Sequence, residues 1–65
     1  MKLTINGEAR SLDAATVAEA LAALDMGEAR VATALNGQFV PAGERATTPL
    51  EPGDALEILS PMQGG

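Results

Sequence analysis

Apolar and polar residues alternate in short segments near both ends of the chain. Residues 3–5 (Leu-Thr-Ile) and residues 55–60 (Ala-Leu-Glu-Ile-Leu-Ser) follow the alternation that is typical of strands with one buried face. Asn6-Gly7 comes directly after the first segment, and this dipeptide favours a tight hairpin turn because both residues tolerate positive φ. The pattern therefore predicts an opening hairpin, with a second strand from about Glu8 to Leu12, and a separate last strand.

One amphipathic helix is the most clearly marked element. Thr16 and Glu19 form a capping box, in which each side chain is expected to accept a hydrogen bond from the other residue's backbone N–H. Gly27 follows at a position where a helix commonly ends in a left-handed residue. These signals predict a helix from Val17 to Asp25. Its apolar stripe, which we assign to the core, consists of Val17, Ala20, Leu21 and Leu24.

A second hairpin is predicted after the helix. Two apolar segments, residues 31–35 and 38–40, flank Asn36-Gly37, and this arrangement is the strongest hairpin signal in the chain. Pro41 cannot donate a hydrogen bond to a neighbouring strand, so it should end the fourth strand.

The remaining residues predict a connector, a turn and then the last strand. Residues 42–50 form the connector, with one helical turn near residues 43–45, and residues 51–54 (Glu-Pro-Gly-Asp) suit a type II turn. The order hairpin, helix, hairpin, connector, strand indicates an α+β domain with an antiparallel or mixed sheet of about five strands and one helix packed on one face. The predicted core consists of Leu3, Ile5, Leu12, Val17, Ala20, Leu21, Leu24, Val31, Leu35, Val40, Leu50, Leu56 and Ile58.

Two large apolar residues are left outside this core. A two-residue loop in the second hairpin would pair Leu35 with Gln38 and Ala34 with Phe39, which places Phe39 on the open face of the sheet. Leu59 has the opposite parity to the core residues of its strand, so it should face the same way. Phe39 and Leu59 are therefore a candidate patch for docking a partner. A hairpin register that differed by one residue would bury Phe39 instead.

Composition excludes most catalytic and nucleic-acid functions. The chain has no Cys and no His, so thiolate chemistry and the commonest general acid–base side chain are absent, and we expect a protein that is not an enzyme. Four Lys and Arg against nine Asp and Glu give a formal net charge of −5, which disfavours nucleic acid and anionic membranes as partners. No segment resembles a signal peptide or a membrane span, and we expect a cytoplasmic protein with no bound cofactor. The carboxylates, among them Asp13, Glu19 and Asp25, show no convergent spacing for a metal or for acid–base work.

The last five residues have a different character. Pro61 should end strand pairing, and Gly64-Gly65 adds no side chain to a core, so residues 61–65 are expected to form a flexible tail on a domain of residues 1–60. Met62 is a further candidate for partner contact. The final glycines could enter a channel too narrow for other residue types, where they would deliver the α-carboxylate of Gly65. Activation of that carboxylate with ATP would need a partner, since the chain has no phosphate-binding glycine loop.

These features together resemble one family. Residues 1–7 (Met-Lys-Leu-Thr-Ile-Asn-Gly), residues 35–41 (Leu-Asn-Gly-Gln-Phe-Val-Pro), residues 50–54 (Leu-Glu-Pro-Gly-Asp) and the final Gly64-Gly65 are similar, in order and spacing, to the ThiS family of sulfur carrier proteins of thiamine biosynthesis. The resemblance covers the whole chain. It implies the ubiquitin-like β-grasp fold, in which the first and last strands are adjacent and parallel.

The resemblance also implies a mechanism and its partners. An E1-like adenylyltransferase would adenylate Gly65 with ATP, and a sulfur-donor relay from a cysteine desulfurase would convert it to a thiocarboxylate. Thiazole synthase would then use that sulfur for the thiazole ring, with Gly64 recognised as part of the tail. Many members carry Arg directly after the Val-Pro pair, where this chain has Ala42, and Arg45 is the nearest substitute.

Other functions fit parts of the same pattern. The small subunit of molybdopterin synthase is also a β-grasp sulfur carrier that ends in Gly-Gly, although it is typically longer and fits residues 36–41 less well. A ubiquitin-like protein modifier would be found joined to target lysines. A non-covalent β-grasp interaction module would keep its partner after deletion of Gly64 and Gly65.

Overall fold

One mixed sheet and one α-helix make up the described part of the chain. The computed structural model describes residues 1–27 and 30–60, so the predicted tail, with Met62, Gly64 and Gly65, lies outside the described residues. In chain order the elements are β1 (Lys2–Ile5), β2 (Glu8–Ser11), α1 (Val17–Ala23), β3 (Ala32–Leu35), β4 (Gln38–Val40), a 3₁₀ helix (Ala42–Thr47) and β5 (Ala55–Leu59).

The sheet places the last strand in its middle. Its order is β2-β1-β5-β3-β4, in which β1 and β5 are parallel and the other neighbours are antiparallel. The α+β prediction and the central parallel pair implied by the family resemblance are both confirmed.

Two Asn-Gly turns fix the hairpins as the sequence predicts. Asn6 and Asn36 have φ of 50° and 51°, and the glycine that follows each has φ of 85°, which is the positive-φ pair that two-residue hairpin loops favour. The second turn pairs Leu35 with Gln38 and Ala34 with Phe39, so the predicted register is confirmed. Gly53, at φ 91°, is the third residue of the predicted type II turn, the position that requires a positive φ.

The start of α1 differs in one detail from the predicted capping box. Thr16 Oγ1 accepts a hydrogen bond from Glu19 N at 3.2 Å, as predicted. The Glu19 carboxylate, however, accepts from Ala15 N at 2.8 Å rather than from Thr16 N. The segment before the helix pairs with the connector, because Leu50 N donates to Ala15 O and Val17 N donates to Thr48 O. This pairing orients the Ala15 N–H toward the first turn of the helix.

The end of α1 was predicted wrongly. The left-handed residue is Asp25, at φ 63°, and not Gly27. Met26 N donates to Leu21 O at 2.7 Å and Asp25 N donates to Ala22 O at 3.0 Å, which is the hydrogen-bond pair of a Schellman motif. Met26, the residue after the left-handed Asp25, packs against the core.

The core lies between α1 and one face of the sheet. Leu56, Val17 and Ala20 are completely buried. Four residues that the sequence assigned to the core are only half-buried at its edge: Leu12, Leu24, Val31 and Leu35. Sequence reasoning missed Ala14, which is buried, and Met26, which packs against the cluster. No helix among the described residues is long and apolar enough to cross a membrane.

Candidate functional site

The candidate site lies where β5 ends and the chain continues toward residue 65. β5 is the central strand, with β1 along one edge and β3 along the other. On one edge Leu59 pairs with Ala32 and Ile58 with Thr33. On the other edge the side chain of Asn6, which follows the last residue of β1, reaches Ile58.

An open-face patch borders this end of the sheet. Phe39 is 69% exposed and Leu59 is 64% exposed, which confirms the exposure predicted from strand parity. Ala34 pairs with Phe39 on β4, and Ala32 pairs with Leu59 on β5, so these two small residues lie between the large ones. Phe39 and Leu59 are two strand spacings apart across the sheet and two residues apart along it, so their backbones are about 12 Å apart. We call Ala32, Ala34, Phe39 and Leu59 the open-face patch.

The patch is shallow and apolar, and a carboxylate adjoins it. Glu57 pairs with Ala34 in the same row as Phe39, so its side chain faces the same side of the sheet. Alanines between two large side chains leave a surface that a partner's apolar side chain could contact between Phe39 and Leu59. The arrangement is suited to docking an apolar side chain of a partner.

The tail residues named by the sequence follow β5 and Ser60 along the chain. Met62, Gly64 and Gly65 lie outside the described residues. Covalent geometry still bounds their reach, because Gly65 is the sixth residue after Leu59 and six residues span at most about 22 Å when fully extended. A partner that holds the open-face patch must therefore act on Gly65 within that radius.

Arg45 has a structural role that the sequence did not predict. Its side chain is half-buried, its Nε donates to Thr33 Oγ1 at 3.1 Å and its Nη2 donates to the backbone oxygen of Val31. Thr33 is 1% exposed and its hydroxyl donates in turn to Val40 O at 2.8 Å. Arg45 thus joins the 3₁₀ helix to β3, and the guanidinium is engaged within the protein rather than presented to a partner.

A groove on the helix side of the sheet is a second feature that the sequence did not reveal. Its volume is about 420 Å³, and Leu12, Leu24, Met26 and Ile58 form its apolar part. Arg10, from the edge strand β2, also lines it. The end of α1 contributes Leu24, Asp25 and Met26 to the groove. Its left-handed residue is an Asp, which the sequence pattern did not indicate.

The carboxylates considered as metal ligands do not converge. Within residues 1–27 and 30–60, no three acidic side chains are close enough to hold a metal ion. Glu19 caps α1 through Ala15 N, and Asp25 occupies the end of the same helix.

Comparisons with known proteins agree on one family. The sequence model described as the ThiS family matches residues 3–65. A curated thiazole synthase of Paramagnetospirillum magneticum is 39% identical over 66 residues, a match that takes in the whole chain. The chain spans only 20% of the length of that relative.

Solved structures show the same relationship. The crystal structure of a thiamine biosynthesis protein (ThiS) from Geobacter metallireducens has a TM-score of 0.83 and 38% identity, and the match covers all of both chains. The NMR solution structure of a thiamine biosynthesis protein from the same organism has a TM-score of 0.80 and 36% identity. That match covers all of this chain and 88% of the other. The β-grasp fold expected from the sequence is confirmed.

Proposed function

Because this chain belongs to the ThiS family, a family of small sulfur carriers of thiamine biosynthesis, we propose that it carries sulfur on the α-carboxyl group of Gly65. The observation that supports this most strongly is the extent of the family match. It runs through residue 65, so Gly64 and Gly65 lie inside the matched region. A chain without cysteine cannot hold sulfur as a mixed disulfide, which leaves an acyl group as the means of attachment.

Loading proceeds in two steps on a partner enzyme. The carboxylate of Gly65 attacks the α-phosphorus of ATP in an E1-like adenylyltransferase, pyrophosphate leaves, and an acyl-adenylate forms. Sulfide, or a persulfide from a cysteine desulfurase relay, then attacks the acyl carbon, so that a C–S bond forms and the C–O bond to AMP breaks. Sulfide gives the thiocarboxylate directly, whereas a persulfide gives an acyl disulfide that a thiol must reduce.

Thiazole synthase is the proposed acceptor of this sulfur. A thiazole synthase that contains a region 39% identical to the whole of this chain supports the pairing, since it carries a similar sequence within one polypeptide. The sulfur of the thiocarboxylate attacks the precursor of the thiazole ring. Water then supplies an oxygen to the acyl carbon as the C–S bond to Gly65 breaks, so the sulfur stays with the precursor and Gly65 returns to a carboxylate for the next cycle. The proposal requires that Gly65 is the last residue of the natural protein, which its intact mass will show.

The open-face patch is proposed as the docking surface for the adenylyltransferase. Interface cores are enriched in aromatic residues, and Phe39 is a large exposed apolar side chain on the same face of the sheet as Leu59, the last residue of β5. Burial of Phe39 against a partner is worth about 2 kcal/mol, so Phe39→Ala should raise the KM of loading roughly 30-fold. The formal net charge of −5 suits a partner whose contact surface carries basic side chains.

Gln38 provides the matched control for the patch. It is exposed and precedes Phe39 on β4, but its side chain points to the other face of the sheet. Gln38→Ala should leave the KM of loading unchanged. Equal effects of the two substitutions would show that the partner does not bind this face.

Mass spectrometry of the intact protein tests the loading itself. The chain is incubated with ATP, the adenylyltransferase of the same organism and sulfide, and the expected product has one oxygen replaced by sulfur. Gly65→Ala, with the fold unchanged by circular dichroism, should remain unloaded. A normally loaded Gly65→Ala variant, or a wild-type chain joined to lysines of other proteins, would contradict the proposal.

A further inference from the structure

Asn6 extends the hydrogen bonding of the sheet to Ile58, near the end of β5. Asn6 N donates to Leu56 O at 3.0 Å, in the ordinary pattern of the parallel pair β1–β5. One step further along β5, the partner of Ile58 is the Asn6 side chain. Oδ1 accepts from Ile58 N at 2.7 Å, and Nδ2 donates to Ile58 O at 3.1 Å.

The left-handed conformation of Asn6 explains this exchange of partners. At φ 50° the backbone turns into the β1–β2 hairpin, so the chain leaves the direction of β1 at this residue. A side-chain amide has the same donor and acceptor as a peptide group. The Asn6 side chain therefore takes the place of one more backbone peptide group of β1 beside β5. Its partner, Ile58, is 52 positions away in sequence.

Asn36 makes the same kind of contact at the opposite end of β5. Its φ is 51°, its backbone N donates to Ala55 O, and its Oδ1 accepts from Ala55 N at 2.9 Å. Its Nδ2 makes a second side-chain bond, to Asp54 Oδ1 at 3.1 Å. Each asparagine thus makes two side-chain hydrogen bonds. Asn36 binds at the first residue of β5, and Asn6 binds at the residue before the last.

We propose that Asn6 is a positioning residue for sulfur loading, because it holds Ile58 at the β1 edge of β5. β3 holds the other edge through the pairing of Ala32 with Leu59, and the two edges together fix the backbone from which the chain continues toward Gly65. This inference rests on the proposed function. The body of the protein docks through the open-face patch, so the adenylyltransferase finds Gly65 at a distance set by the last fixed residue of β5. Loss of the Asn6 contacts would leave the end of β5 paired with β3 alone, which adds backbone freedom that must be lost again when Gly65 is adenylated.

Asn6→Gly tests the contact with little strain of its own, since glycine accepts the positive φ of this position. The variant removes both side-chain bonds to Ile58. We expect amide hydrogen exchange of Ile58 to accelerate and kcat of loading to fall about tenfold, the effect of ordering roughly one more backbone residue, while KM stays within about twofold. Asn36→Gly removes the same number of side-chain bonds, and it should accelerate exchange at Ala55 with kcat and KM unchanged.

The measurements separate positioning from simple destabilisation. Both variants are assayed at a temperature at which circular dichroism shows them fully folded, so a shared loss of stability would affect them alike. Unchanged exchange at Ile58, or wild-type kcat in Asn6→Gly, would overturn the proposal, and so would an equal fall of kcat in both variants. Failure of the wild-type chain to accept sulfur would count against the proposed function, whereas exchange at Ile58 would still decide whether Asn6 holds the strand.

Discussion

Substitution of Arg45 should change stability and leave sulfur loading intact. Arg45→Met keeps the aliphatic part of the side chain, which packs along the surface, and removes both guanidinium donors. The bonds lost are those to Thr33 Oγ1 and to the backbone oxygen of Val31. Ala42, three residues earlier, stands where the family resemblance leads one to expect an Arg. The substitution therefore also tests whether Arg45 makes the partner contact expected of that Arg.

The structure sets the size of the effect. Hydrogen bonds to charged groups are generally worth about 1.5–3 kcal/mol, but Arg45 is half-buried and water can replace it at Val31 O, so we expect a loss of about 1 kcal/mol. For a domain of this size that lowers Tm by about 4–8 °C. Thr33→Val should cost about 2 kcal/mol, because Thr33 is 1% exposed and its hydroxyl also donates to Val40 O.

The double variant gives the sharpest test of this contact. Thr33→Val with Arg45→Met loses the shared hydrogen bond only once, so its cost should fall short of the sum of the two single costs by about 1 kcal/mol. Urea unfolding is followed by far-ultraviolet circular dichroism, since the chain has no Trp or Tyr for fluorescence. Additive costs would refute the contact. A stable Arg45→Met variant that is no longer loaded would refute its structural role.

Three further predictions concern the helix and the core, and the same unfolding measurement checks each. Asp25→Gly should stabilise the protein by about 0.5–1 kcal/mol, because glycine removes the cost of φ 63°; lower stability would mean that the Asp25 side chain itself contributes. Gly27→Ala is the control, since a Cβ there would meet Ala22 Cα at an ordinary 3.8 Å, and it should change little. Thr16→Ala should cost about 1 kcal/mol through loss of the N-cap bond, and an unchanged midpoint would contradict that bond. Leu56→Ala, at a completely buried position, should cost about 2–5 kcal/mol and leave the protein largely unfolded, so a cooperative transition close to that of the wild type would contradict the core assignment.

Local signals were sufficient for the hairpins and for the exposure of Phe39. A two-residue Asn-Gly loop leaves only one register for its strands, and strand parity then determines which face each side chain occupies. The sequence therefore predicted both the pairing of Ala34 with Phe39 and the open-face position of Leu59. The central parallel pair came only from the family resemblance, because periodicity contains no information on which distant strands are neighbours.

Tertiary contacts decided the features that the sequence missed. Asp25 ends α1 because Met26 then packs on the core, although glycine at position 27 was the stronger local signal. Asn6 binds a residue 52 positions away, and no local pattern distinguishes that role from its role in the turn. The sequence correctly predicted that the Glu19 carboxylate caps α1. Its hydrogen-bond donor is Ala15 N, in the segment that pairs with the connector, and a local pattern does not reveal that pairing.

The central claim is that Gly65 alone carries the sulfur, and fragmentation mass spectrometry of the loaded chain tests it most directly. After incubation with ATP, the adenylyltransferase and sulfide, every C-terminal fragment that includes Gly65 should show one oxygen replaced by sulfur, and all fragments that lack Gly65 should have their unmodified masses. Sulfur found on any fragment without Gly65, or a chain that consumes ATP yet gains no sulfur, would contradict the account.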